Sequence, residues 1–150
     1  MLKDNIKTNG TLTLVLTDEN GNVKQQDEHN LVVNVGLAYI ASRMKDATAT
    51  AMSHMAVGSG TVAAADANTT LGTELGRVTL TSTTIVTTST ANDAIQYVAT
   101  FAAGTGTGAI TEAGILNAAS VGTLLCRTVF AVINKGALDT LTITWKVTVA

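Results

Sequence analysis

From Asp139 to Val149 the chain alternates cleanly. Leu141, Ile143, Trp145, Val147 and Val149 fall on one side of an extended backbone, and Thr140, Thr142, Thr144, Lys146 and Thr148 on the other. Successive side chains leave a strand on opposite faces, so a period of two marks a strand with one buried face. A slip of one residue would turn every apolar group to water, so the pattern sets register as well as conformation. The same alternation runs from Gly10 to Thr17, with Leu12, Leu14 and Leu16 opposed to Thr11, Thr13 and Thr17. The Asn20-Gly21 pair that follows predicts a hairpin, with a return strand over residues 23–33.

The period changes between Asn34 and Met44. Leu37, Ile40, Ala41 and Met44 are spaced i, i+3, i+4 and i+7. That spacing predicts one short helix near residues 34–45, capped by Asn34, with Arg43 and Lys45 in its last turn. Further strands are expected over residues 54–58, 77–89, 95–102, 110–116 and 123–133. The last of these is nearly all apolar, as a central strand would be. Tyr97, Ala99 and Phe101 share one face of theirs. Turns fall at Asn92-Asp93, residues 117–122 and residues 134–136, and loops at residues 59–73 and 104–108. About eight short strands joined by Gly, Asn and Asp predict an all-β fold, an antiparallel β-sandwich of jelly-roll type. It forms a single domain over residues 10–150, preceded by a polar arm, residues 1–9, with no expected partner strand.

Composition bears on surface and partners. The chain has 27 Thr, no Pro and 13% charged residues. Thr suits a pleated sheet, whereas charge and Pro are what normally keep sheet edges from pairing. A β domain short of both is expected to be covered by other protein, as a homodimer, a homotrimer or part of a lattice. The net charge of −2 argues against a nucleic-acid partner, which needs a basic face. No apolar run nears the roughly 20 residues of a membrane helix, so no membrane partner is expected. The first residues lack the apolar core of a secretory signal, which predicts synthesis and folding in a cytoplasm.

Candidate chemistry is sparse. His29 and His54 lack the spacing of a metal site, and Cys126, within an apolar strand, reads as a small buried hydrophobe. The glycine-rich runs at residues 58–61 and 104–108 lack the Lys and following helix of a phosphate loop. Asp18, Asn20, Asn22 and Glu28 depart from the calcium-loop pattern in glycine position and in flanking elements. The expectation is no enzyme activity, no cofactor, no metal and no small-molecule substrate. Glu74, Arg77, Glu112 and Arg127 stand out in a stretch with few ionisable groups. Such charges are expected to be paired, within the chain or across a subunit boundary.

Several stretches carry a resemblance. His54-Met55-Ala56-Val57-Gly58-Ser59-Gly60-Thr61, then Leu71-Gly72-Thr73-Glu74 and Arg77, form one run. Tyr97-Val98-Ala99-Thr100-Phe101, Ile110-Thr111-Glu112-Ala113-Gly114-Ile115-Leu116-Asn117 and Thr123-Leu124-Leu125-Cys126-Arg127-Thr128-Val129-Phe130 form another, closed by Leu141-Thr142-Ile143-Thr144-Trp145. In their order these runs resemble those of small virion structural proteins of tailed bacteriophages, over about residues 30–149. The resemblance implies a capsid decoration (cement) protein on the outer surface of the virion, bound to the major capsid protein and to itself. A tail-associated role, in a fibre, collar or adhesin, is the alternative it implies. Expected subunit or capsid contacts are Lys3, Asn5 and Lys7 on the arm, and Arg77, Glu112 and Arg127, with the loops at residues 59–73 and 104–108.

Overall fold

The computed structural model describes residues 6–149. Nine strands and one helix follow one another as β1 (Thr8–Thr17), β2 (Val23–Val32), α1 (Asn34–Lys45), β3 (His54–Gly58), β4 (Glu74–Thr79), β5 (Ser82–Val86), β6 (Ala94–Phe101), β7 (Gly108–Leu116), β8 (Leu124–Lys135) and β9 (Thr140–Val149). The fold is all-β with one short helix, and its strand pairings are antiparallel. The strands form one sheet in the order β4-β3-β7-β8-β2-β1-β9-β6-β5.

β2 joins two halves of this sheet. Its first eight residues pair with β1, from Val23 opposite Thr17 to Asn30 opposite Gly10. Only Leu31 and Val32 pair with β8. One half is β4-β3-β7-β8 and the other β1-β9-β6-β5. Both line a single core: Leu12, Leu14, Phe101, Ile143 and Trp145 from one, and Met55, Val57, Ile110, Ile115 and Cys126 from the other. The sheet therefore curls back on itself, and the chain crosses between halves at residues 80–81, 102–107 and 136–139. The alternating residues of β1, β6 and β9 point into this core as the sequence predicts, except Val149, which is 40% exposed at the strand end. Full burial of each such aliphatic side chain contributes about 1.5–3 kcal/mol.

Four details differ from expectation. Residues 77–89 make two strands rather than one. β4 pairs with β3, and β5 pairs with β6 in the opposite half. The break at Leu80 and Thr81 carries no turn residue; their amides bond instead to the Ser53 and Val98 carbonyls. Thr8 and Asn9, assigned to the arm, already belong to β1, opposite Val149 and Thr148. Asn34 does not cap α1: Val33 holds the cap position without a side-chain bond, and the Asn34 amide donates to the Asp66 carbonyl. The helix also packs through a different face. Leu37 and Met44 are exposed, while Gly36, Tyr39 and Ile40 face the sheet. Gly36 lies so close to the Leu125 carbonyl that a Cβ would collide with it, and this contact sets the rotation of the helix.

Candidate functional site

The conspicuous polar construction lies on the outer face of the β3-β7-β8 half. Residues 59–73, read from sequence as a loop, cross this face as a strap. Leu71 seals its end within a second small apolar cluster with Val33, Ala56, Leu116 and Leu124. Beneath the strap lie Glu112 and Arg127, both essentially inaccessible to solvent. The Glu112 carboxylate accepts the amides of Gly60 (2.9 Å), Thr73 (2.7 Å) and Gly72 (2.9 Å) and the Nε of Arg127 (2.9 Å). Arg127 also places Nη2 2.8 Å from the same carboxylate. It donates from Nη1 to Asn68 Oδ1 (2.9 Å) and from Nη2 to the Val62 carbonyl (3.0 Å). Both charges are therefore paired and hydrogen-bonded, as burial of charge requires.

The glycines of this region are spacing requirements. A Cβ on Gly58 or Gly60 would enter the Glu112 carboxylate, and one on Gly114 would stand 2.7 Å from a Leu71 methyl. Without a side chain at these positions the strap reaches the carboxylate closely enough to donate its amides. Burial raises the Glu112 pKa. The amides of Thr73 and Gly72, the Arg127 guanidinium and the Gly60 amide outweigh it and hold the carboxyl below its ordinary value.

Arg77 makes a second tether. It pairs with Glu74 through two bonds, Nε–Oε1 at 2.9 Å and Nη2–Oε2 at 2.7 Å. From Nη1 it reaches the carbonyls of Ala118 (2.9 Å) and Val121 (3.0 Å), gripping the β7–β8 turn. The structure thus keeps Arg77 apart from the Glu112–Arg127 pair, and all three are hydrogen-bonded within the chain. Within the chain, the strap covers Glu112 and Arg127. Lys7 is exposed just ahead of β1. Lys3 and Asn5 lie outside the described residues.

Two polar features escaped the sequence reading. Lys135 is 2% exposed at the end of β8, with Nζ 3.0 Å from the Ala102 carbonyl. Burial pulls its pKa down, and nearby Asp139 pushes it partly back. Asn30 accepts the indole N–H of Trp145 at 2.9 Å, and its side chain occupies the space a Cβ on Gly10 would need. The Asn30 Nδ2 is buried with no partner among the described residues.

The remaining candidates make local contacts or are buried. Asp18 accepts the amides of Asn20 and Asn22 and the side chain of Asn22, closing its own hairpin turn. Cys126 is fully buried, and burial pushes its thiol pKa far up. His54 sits beside Ser53, its Nδ1 2.8 Å from the hydroxyl. An apolar groove of about 410 Å³ opens between α1 and the β5-β6-β9 end, lined by Tyr39, Ile40, Met52, Ile95, Tyr97 and Val147.

Compared with family models, curated proteins and solved structures, the chain matches none of them.

Proposed function

We propose that the chain is a structural protein of a tailed-phage virion. Within that class its role is capsid decoration: it binds the major capsid protein on the outside of the head and stabilises the shell by burying area across capsomer seams. The observation that carries this reading is the ordered sequence resemblance over residues 54–61, 71–77, 97–101, 110–117, 123–130 and 141–145. The fold gives those residues a shared physical reason. Gly58, Gly60, Gly72, Glu112, Gly114 and Arg127 build the strap and the ion pair beneath it. A motif of this kind specifies a scaffold, and the reading assigns it no catalytic step. Support for a covered surface comes from the outer face of β1, β9 and β6, where Thr13, Thr144 and Val98 lie in one cross-strand row and Val15, Thr142 and Thr100 in the next. Protein interfaces favour such patches depleted of charge at their centre.

The test has two arms. Particles of the encoding phage, assembled with and without the protein, are exposed to mild denaturant and scored for intact heads. Heads lacking it are expected to fail first, and equal survival would sink the decoration role. Imaging of particles carrying a labelled copy should place the label on the head; label on the tail would replace decoration with the tail-associated alternative.

A further inference from the structure

β5 ends the sheet with nothing laid against its outer edge among the described residues. Ser82, Thr83, Thr84 and Ile85 are exposed, Ile85 at 64%. No ionisable side chain occurs between Arg77 and Asp93. Asp93 itself is occupied: its carboxylate accepts the amides of Thr88, Ser89 and Thr90 and so belongs to its own hairpin loop. An edge strand presents a row of unpaired backbone donors and acceptors, and natural sheets blunt such edges with charge, Pro, bulges or cover. β5 has no charge, no Pro and a regular register with β6 from Ser82 opposite Val98 to Val86 opposite Ala94.

We propose that β5 pairs antiparallel with β5 of a second copy across a two-fold axis, joining the two sheets into one. A second copy is the occupant because an antiparallel strand laid on itself tests every residue against its own mirror position. With the pairing centred on Thr84, Thr84 faces the partner's Thr84, Thr83 faces the partner's Ile85, and Ser82 faces the partner's Val86. Each pair joins residues that suit a pleated sheet, and none brings like charges together. A single ionised side chain at position 84 would have met itself. Thr83 and Ile85 lie opposite Tyr97 and Ile95, on the side of the sheet that carries the apolar groove. The partner strand therefore covers exposed Ile85 and extends one wall of the groove. A two-fold contact is closed by two copies, which selects a dimer over a trimer. The inference gives the self-association in the proposed function a definite surface. It rests on the edge of β5 and stands or falls on the purified chain, whatever the result at the head or the tail.

The experiment measures mass in solution by sedimentation equilibrium across a concentration series up to about 1 mM, the range of a weak complex. The expected result is a monomer–dimer equilibrium. Thr84→Lys sets two ammonium groups against each other at the axis and should weaken the dimer at least about tenfold, with the circular dichroism spectrum and melting curve of the monomer unchanged. Leu138→Lys removes an equally exposed apolar residue from the β8–β9 turn and should leave the dimer intact. Register is read separately with Thr84→Cys, since directly opposed residues of an antiparallel pair stand about 4.5–5.5 Å apart at Cα, within disulfide reach. Mild oxidation should link this variant into covalent dimers faster than Thr100→Cys, whose residue lies on the outer face of β6. A chain that stays monomeric throughout, one that forms trimers, or a dimer indifferent to Thr84→Lys and slow to link through position 84 would each overturn the proposal. The first of these results would leave the edge to a different partner.

Discussion

β4 and β5 follow each other in the chain and end opposite halves of the same sheet, yet they are protected differently. β4 carries Glu74 and Arg77 locked in a two-bond ion pair, and Arg77 reaches on to the β7–β8 turn. The β6–β7 loop packs against its backbone at Gly76, where a Cβ would stand 2.9 Å from Gly106. The neighbouring strands on that side hold the Glu112–Arg127 pair and are roofed by the strap. β5 carries hydroxyls and two aliphatic side chains, and among the described residues nothing lies against its edge. The difference teaches where this protein keeps its few charges. Glu74, Arg77, Glu112 and Arg127 tie loops down in one half of the molecule, whereas β5, at the edge of the other, carries no charge.

The largest expected effect breaks the tied half. Arg127→Met leaves the Glu112 carboxylate buried without its cation, and should cost about 3–5 kcal/mol in urea unfolding. Hydrogen exchange at Gly60, Gly72 and Thr73 should speed up with it. A loss below about 1 kcal/mol would mean the strap is held by its apolar seal at Leu71 instead. Next comes a test inside the other half. Gly10→Ala pushes Asn30 off the Trp145 indole, and should cost about 1–3 kcal/mol with a shift in tryptophan emission.

Acid should sharpen the comparison. The folded Glu112 pKa lies below its unfolded value of about 4.5, so its contribution is fully present above that value. It is lost as the pH falls through the lowered folded pKa. Asp93, held down by the Thr90 amide and the Thr88 side chain against weak desolvation, follows the same sign. Stability measured in urea should therefore fall on acidification below about pH 4.5, and the fall should be shallower in Glu112→Gln. The smallest effect is expected from Asp93→Ala. It should loosen only residues 88–90 and the adjoining β5 amides in hydrogen exchange, leaving the β3-β7-β8 half protected.

Much of the fold was legible in the sequence because burial on one face of a strand imposes a period of two. β1, β6 and β9 could be read residue by residue on that ground. β2 was legible as the return of an Asn-Gly hairpin, although its residues 24–30 are all polar. The division of residues 77–89 into β4 and β5 was not legible. Leu80 and Thr81 have no turn propensity, and the break exists because the two halves of the sheet compete for the segment. The packing face of α1 was misread for a related reason: spacing marks an apolar stripe, but the Gly36 contact with Leu125 decides which stripe is buried. Glu112, Arg127 and Arg77 could be singled out by their isolation in sequence. Their partners could not, because the strap contributes mainly backbone amides and carbonyls, which every residue has. Lone Leu71 and the glycines at 58, 60 and 72 were the available signal.

By itself, then, the sequence determined an antiparallel β fold, its strand faces and most of its turns, since these follow from local periodicity and turn chemistry. Tertiary structure decided which half each strand joins, that Glu112 and Arg127 lie on the outer face beneath the strap, and that none of the described residues covers the edge of β5. Those outcomes depend on contacts such as Asn68 with Arg127 and Glu112 with Gly60, between residues more than fifty positions apart. Such contacts are selected by packing of the whole chain, and no local pattern encodes them.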